Sequence, residues 1–88
     1  MKEKIIVVNF KKGLHARPAA ELVGLLSKYQ SNIKIIKDDF IIDAKSIMGV
    51  LMLAAAHGTD LKFISEGVDE EIVLENIESF FNSGKEYD

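Results

Sequence analysis

Cysteine is absent from this chain, so no disulfide can staple it and no thiolate is available as nucleophile or metal ligand. Two histidines without cysteine make no zinc-binding cluster, and no glycine-rich nucleotide loop is present. No cofactor and no metal are therefore expected. Long apolar runs are missing too. Nothing approaches the roughly 20 residues of a membrane span, and no apolar stretch at the start reads as a secretory signal. A cytoplasmic protein without membrane insertion is the expectation. An excess of positive charge is also lacking: the formal charge is −3 and the pI about 5.3, which argues against direct nucleic-acid binding.

What remains must fold on its own core. Eighty-eight residues suit one small domain over 1–88, which buries about 60–65% of its unfolded surface. The 48% hydrophobic fraction is enough for a single core. Charge is unevenly placed: Lys11, Lys12 and Arg17 bracket His15, whereas acids gather after Glu66. A local positive patch on an acidic protein steers anionic partners.

The only arginine and the only proline lie within three residues of His15, in Gly13-Leu14-His15-Ala16-Arg17-Pro18-Ala19-Ala20. Proline suits a first helical turn, where its missing N–H would have no partner. Gly13 allows a backbone conformation closed to other residues. A helix that starts here presents unpaired N–H groups and the positive end of its dipole to an anion. Arg17 adds a planar fork of donors for phosphate oxygens. As a cation at a helix N-terminus it opposes the dipole by roughly 0.3–1 kcal/mol, which an incoming anion explains. Imidazole is nucleophilic near neutral pH. The pattern points to a histidine that itself carries phosphate, with the backbone of Ala16 and Arg17 holding it.

Periodicity predicts the rest. Residues 4–10 read as a strand. From Ala16 to about Lys28, apolar positions 19, 22, 23 and 26 mark a helical face, interrupted by Gly24. Strands over 32–37 and 40–44 are joined at Asp38-Asp39, a turn without glycine that is strained or lengthened. Ser46 is expected to cap a short helix over 47–53, with His57 in a last helical turn. A strand over 60–66 and a turn at Gly67 precede a helix over 70–83, capped by Asp69, with Val73, Ile77, Phe80 and Phe81 on one stripe. The last four residues are expected to fray. The order β-α-β-β-α-β-α suits an α+β fold with one antiparallel sheet and helices on a single face. A ferredoxin-like strand order is equally compatible with the pattern.

Three segments in order resemble one family. The octapeptide around His15 is similar to the active-site segment of HPr, the histidine-containing phosphocarrier of the bacterial phosphoenolpyruvate:sugar phosphotransferase system. Ala44-Lys45-Ser46-Ile47-Met48-Gly49-Val50 resembles the same family's regulatory serine segment. Ser65-Glu66-Gly67-Val68-Asp69-Glu70-Glu71 is similar to the turn before its last helix. The resemblance covers about residues 1 to 84.

It implies an open-faced β-sandwich: a four-stranded antiparallel sheet of order 1-4-2-3 with three helices on one face. It implies a carrier rather than an enzyme. His15 accepts a phosphoryl group on Nδ1 from enzyme I and passes it to enzyme IIA domains for sugar uptake, with Arg17 stabilising the phosphate. Ser46 is the implied target of an HPr kinase/phosphorylase, with catabolite control protein A as partner of the modified form. Docking falls to Ala20, Gly24 and Ser27, and to Ile47, Met48, Leu51 and Met52 beside Ser46. A monomer is expected. The resemblance also admits a corepressor acting mainly through Ser46, and a nitrogen-branch phosphocarrier. The chain departs from the family at Lys12, where small or hydroxyl residues are usual, and on the 20/24/27 face, which carries no basic residue.

Overall fold

The computed structural model describes residues 1–84; the four C-terminal residues expected to fray lie outside them. Its elements are β1 (Lys2–Val7), α1 (Ala16–Leu26), β2 (Asn32–Lys37), β3 (Phe40–Asp43), α2 (Ile47–Met52), β4 (Asp60–Glu66) and α3 (Glu70–Phe81). All pairings are antiparallel, and the sheet order is β1-β4-β2-β3. The ferredoxin-like alternative is thereby excluded, because β1 lies at an edge beside β4.

Strand alternation separates two faces. Ile6, Leu61, Phe63, Ile33 and Ile35 are buried and in register across three strands: Ile6 opposite Leu61, and Ile35 opposite Phe63. Their neighbours Ile5, Val7 and Ile41 point the other way and are exposed. The helices close the inner face with Leu22 and Leu26 from α1, Val50 from α2, and Val73, Ile77 and Phe81 from α3. Phe81 stacks on Phe10 at 5.4 Å between ring centres and meets Phe63 edge-on at 5.9 Å. Each such side chain contributes about 1.5–3 kcal/mol by leaving water.

Several boundaries differ from the sequence expectation. β1 ends at Val7 rather than at residue 10. Val8 still exchanges hydrogen bonds with the opposing loop, donating to Thr59 O at 2.8 Å and accepting from Gly58 N at 2.7 Å. Gly58, at φ +89°, then turns the opposing chain away and leaves residues 9 and 10 no ladder. α1 stops at Leu26, where bonds tighten to i→i+3, Lys28 N to Leu25 O and Tyr29 N to Leu26 O. α3 likewise stops at Phe81, short of residue 83. The Asp38-Asp39 turn is strained as expected, with Asp38 at φ +54°.

Two residue assignments need correction. Asp69 precedes α3, but its carboxylate does not cap that helix. It accepts instead from Gln30 N at 2.9 Å, Ser31 N at 2.9 Å and the Ser31 hydroxyl. His57 is not in a helical turn: α2 ends at Met52, and His57 is exposed in the turn that Thr59 N closes on Ala56 O. Ala54, at φ +48°, has already broken the helical path.

One core group is poorly matched to its surroundings. Ser65 is fully buried on the covered face and its hydroxyl has no hydrogen-bond partner among the described residues. An unsatisfied buried hydroxyl costs roughly 1–3 kcal/mol. Ser65→Ala is expected to raise stability by about 1 kcal/mol, read as a higher urea midpoint. A lower midpoint would show that the hydroxyl is needed.

Candidate functional site

The loop before α1 is held by its own backbone. Gly13 N donates to Phe10 O and Leu14 N to Ala55 O, both at 2.8 Å. Gly13 sits at φ +74°, and a Cβ there would stand 2.5 Å from Ala55 O. Only glycine allows this approach of two backbones. Leu14 is buried and anchors the loop in the core.

His15 follows as the N-cap of α1, extended at φ −82° and ψ −168°. Its carbonyl accepts from Ala19 N at 2.9 Å, but its side chain makes no capping bond. The ring is half-buried, with Nε2 inside. No acid stands in the first turn of α1 to neutralise the helix dipole. Pro18 is buried within this turn, whereas Ala16 and Arg17 are exposed. No described residue accepts a hydrogen bond from the N–H of Ala16 or Arg17, and no described acid pairs with the Arg17 guanidinium. Amides with no acceptor among the described residues and a dipole that no first-turn acid offsets thus meet at the segment that carries His15, with Arg17 two positions on.

Beside the ring opens a cleft of about 330 Å³ lined by Lys12, Leu14, His15, Ala16, Leu51 and Ala54–Ala56. The segment 54–56 carried no signal in the sequence. Left-handed Ala54 brings it back over the loop, a consequence of tertiary packing alone.

Ser46 lies on the neighbouring α2, which packs on α1. It is the N-cap, half-buried, and its Oγ accepts from Gly49 N at 3.0 Å. Around it Ile47, Met48, Leu51 and Met52 are all exposed, Met48 by 71%. Leu51 also lines the cleft, so this apolar surface runs continuously up to His15. Ala20, Gly24 and Ser27 are exposed along one face of α1. Among the described residues, no group of three or more His, Asp or Glu could hold a metal ion, and no helix is long and apolar enough to cross a membrane.

Residues 2–83 match the family described as the PTS HPr component phosphorylation site. The chain belongs to the HPr family. The phosphocarrier protein HPr of Treponema pallidum is 41% identical over 80 residues, covering 91% of each chain. The HPr-like protein Crh of Halalkalibacterium halodurans is 42% identical over 80 residues, covering 91% of this chain and 95% of the relative. A crystal structure of an HPr dimer from Thermoanaerobacter tengcongensis superposes with a TM-score of 0.75 at 42% identity, covering 94% and 95%. The four-stranded sheet of order 1-4-2-3 with three helices is that of HPr structures.

Proposed function

We propose that the protein is a phosphocarrier that takes a phosphoryl group from enzyme I onto His15 and hands it to enzyme IIA domains for sugar uptake. One observation carries the reading: the imidazole stands at a helix start whose first amides have no acceptor among the described residues and whose dipole no acid offsets. Nε2 is shut off from solvent, and membership of the HPr family points to Nδ1 as the atom that reacts. Its lone pair forms the new N–P bond while the bond from phosphorus to the donor breaks, the electron pair leaving with enzyme I. The reverse exchange loads the acceptor. The Ala16 and Arg17 amides and the Arg17 guanidinium hold the phosphoryl oxygens, which is most of what a loose phosphoryl-transfer transition state requires. No cofactor takes part, and turnover occurs only with partner enzymes, in the cytoplasm.

Arg17→Lys replaces a bidentate fork by a point charge, so phosphorylation by enzyme I is expected to slow about tenfold. Stopped-flow or quenched-flow transfer rates check this, and unchanged rates would remove Arg17 from the site.

In the same reading Ser46 is phosphorylated by an HPr kinase/phosphorylase. The phosphoryl oxygens would accept the Gly49 N–H that Oγ accepts now, so the fold is kept while the surface changes charge beside Ile47, Met48, Leu51 and Met52. Those residues and the Ala20, Gly24 and Ser27 face are the docking surface, and catabolite control protein A is the partner of the modified form. A corepressor acting mainly through Ser46 is the second reading, favoured by the likeness to Crh. The working species is the monomer, since each partner must meet His15 and the α2 patch together. Light scattering of the active protein checks this against the solved dimer of a relative.

The deciding experiment incubates the protein with enzyme I and labelled phosphoenolpyruvate. Acid-labile, base-stable label on His15 supports the carrier. Failure to take label there, together with acid-stable label on Ser46 from the kinase and ATP, selects the corepressor.

A further inference from the structure

Four lysines already have work in the fold. Lys45 Nζ donates to Tyr29 O at 2.7 Å and Lys37 Nζ to Leu53 O at 2.9 Å. Lys4 pairs with Glu78 at 2.8 Å and Lys62 with Glu3 at 3.2 Å. Lys12 has no such tie to any described residue, and it alone brings a cationic side chain to the lining of the cleft beside His15. The other lining groups, apart from the imidazole, are leucine or alanine. Arg17 does not line this cleft. Lys12 is also fixed at its base: the turn closed by Gly13 N on Phe10 O and the bond from Leu14 N to Ala55 O set its backbone on the cleft rim.

We propose that Lys12 is a second phosphate-positioning cation, whose ammonium swings over the cleft onto the phosphoryl group carried by His15. The inference rests on the carrier reading above. A lysine head is a mobile point charge on a long stem, suited to follow an anion that comes and goes. Apolar walls strengthen its attraction relative to open water. Spontaneous loss of the phosphoryl group to water passes through a loose transition state in which charge leaves the phosphoryl oxygens. Transfer to a partner gains from such cations because they align the group with a positioned nucleophile; with water alone nothing is so aligned, and an ammonium held to the dianion favours the phosphorylated ground state and prolongs its life.

The test loads the purified protein with phosphoramidate, a small phosphoryl donor that requires no partner enzyme, and follows decay of the phosphohistidine signal by ³¹P NMR. Lys12→Gln is expected to shorten the lifetime about threefold, because only the part of the attraction that differs between the phosphorylated ground state and the transition state is lost. Lys12→Arg should restore it, and high salt should narrow the difference. Equal lifetimes for Lys12→Gln and the unaltered protein would overturn the proposal, as would a Lys12→Arg variant no better than Lys12→Gln. If the unaltered protein forms no phosphohistidine at all, it is the carrier reading that fails, a result distinct from either.

Discussion

His15→Ala is expected to accept no phosphoryl group from enzyme I, a loss of at least about 10³-fold, while folding as before. The substitution removes the imidazole nitrogens at the start of α1 and leaves the proposed anion-holding backbone around them unchanged. Stability is expected to hold for a local reason: the His15 side chain makes no capping bond, and the loop is held by Gly13, Leu14 and the Ala55 carbonyl. A change in unfolding free energy within about 1 kcal/mol is expected, as for other half-buried residues outside the core. Transfer of label from phosphoenolpyruvate and a thermal melt, run together, read both halves. A variant that still takes acid-labile label would move the phosphoryl site elsewhere. One that takes none because it is unfolded would place His15 in the structural frame.

Asp69→Ala should be strongly destabilising for a change outside the hydrophobic core. Its carboxylate joins the start of α3 to the loop between α1 and β2, accepting from two backbone amides and the Ser31 hydroxyl. Ser31 is fully buried, so removal of the acceptor strands a hydroxyl and an amide away from water. The segments are also pressed together, since a Cβ at Gly67 would lie 2.6 Å from Ser31 Cα. A fall in Tm of about 10 °C is expected for a domain this small. The bond from Ser31 Oγ, then that from Gln30 N, holds the Asp69 carboxyl below its ordinary value of 3.8.

A carboxylate with a lowered folded-state pKa adds stability above its unfolded value, and that contribution disappears as pH falls through the folded value. The wild-type advantage over Asp69→Asn should therefore be full at neutral pH and vanish progressively below about pH 3.8. Glu70 is lowered in the same sense, first by Gly67 N–H and then by the N-terminal ammonium, so the contrast between the two proteins isolates Asp69. Urea midpoints between pH 7 and pH 2 give the answer; a constant difference across that range would mean that charge plays no part in the Asp69 tie.

The order of strands and helices, the capping role of Ser46 and the pairing of His15 with Arg17 at a helix start were legible in the chain because each is local. Periodicity, a serine before an apolar turn, and a proline placed where an N–H is dispensable all act within a few residues. Tertiary structure decided the rest. It chose β1 as an edge strand, gave Asp69 to Ser31 rather than to its own helix, left His57 in a turn, and folded Ala54–Ala56 over the His15 loop to make a cleft with Lys12 on its rim. Each of these depends on which distant backbone arrives alongside, and a contact across some 40 residues leaves no periodic trace in the sequence of either partner.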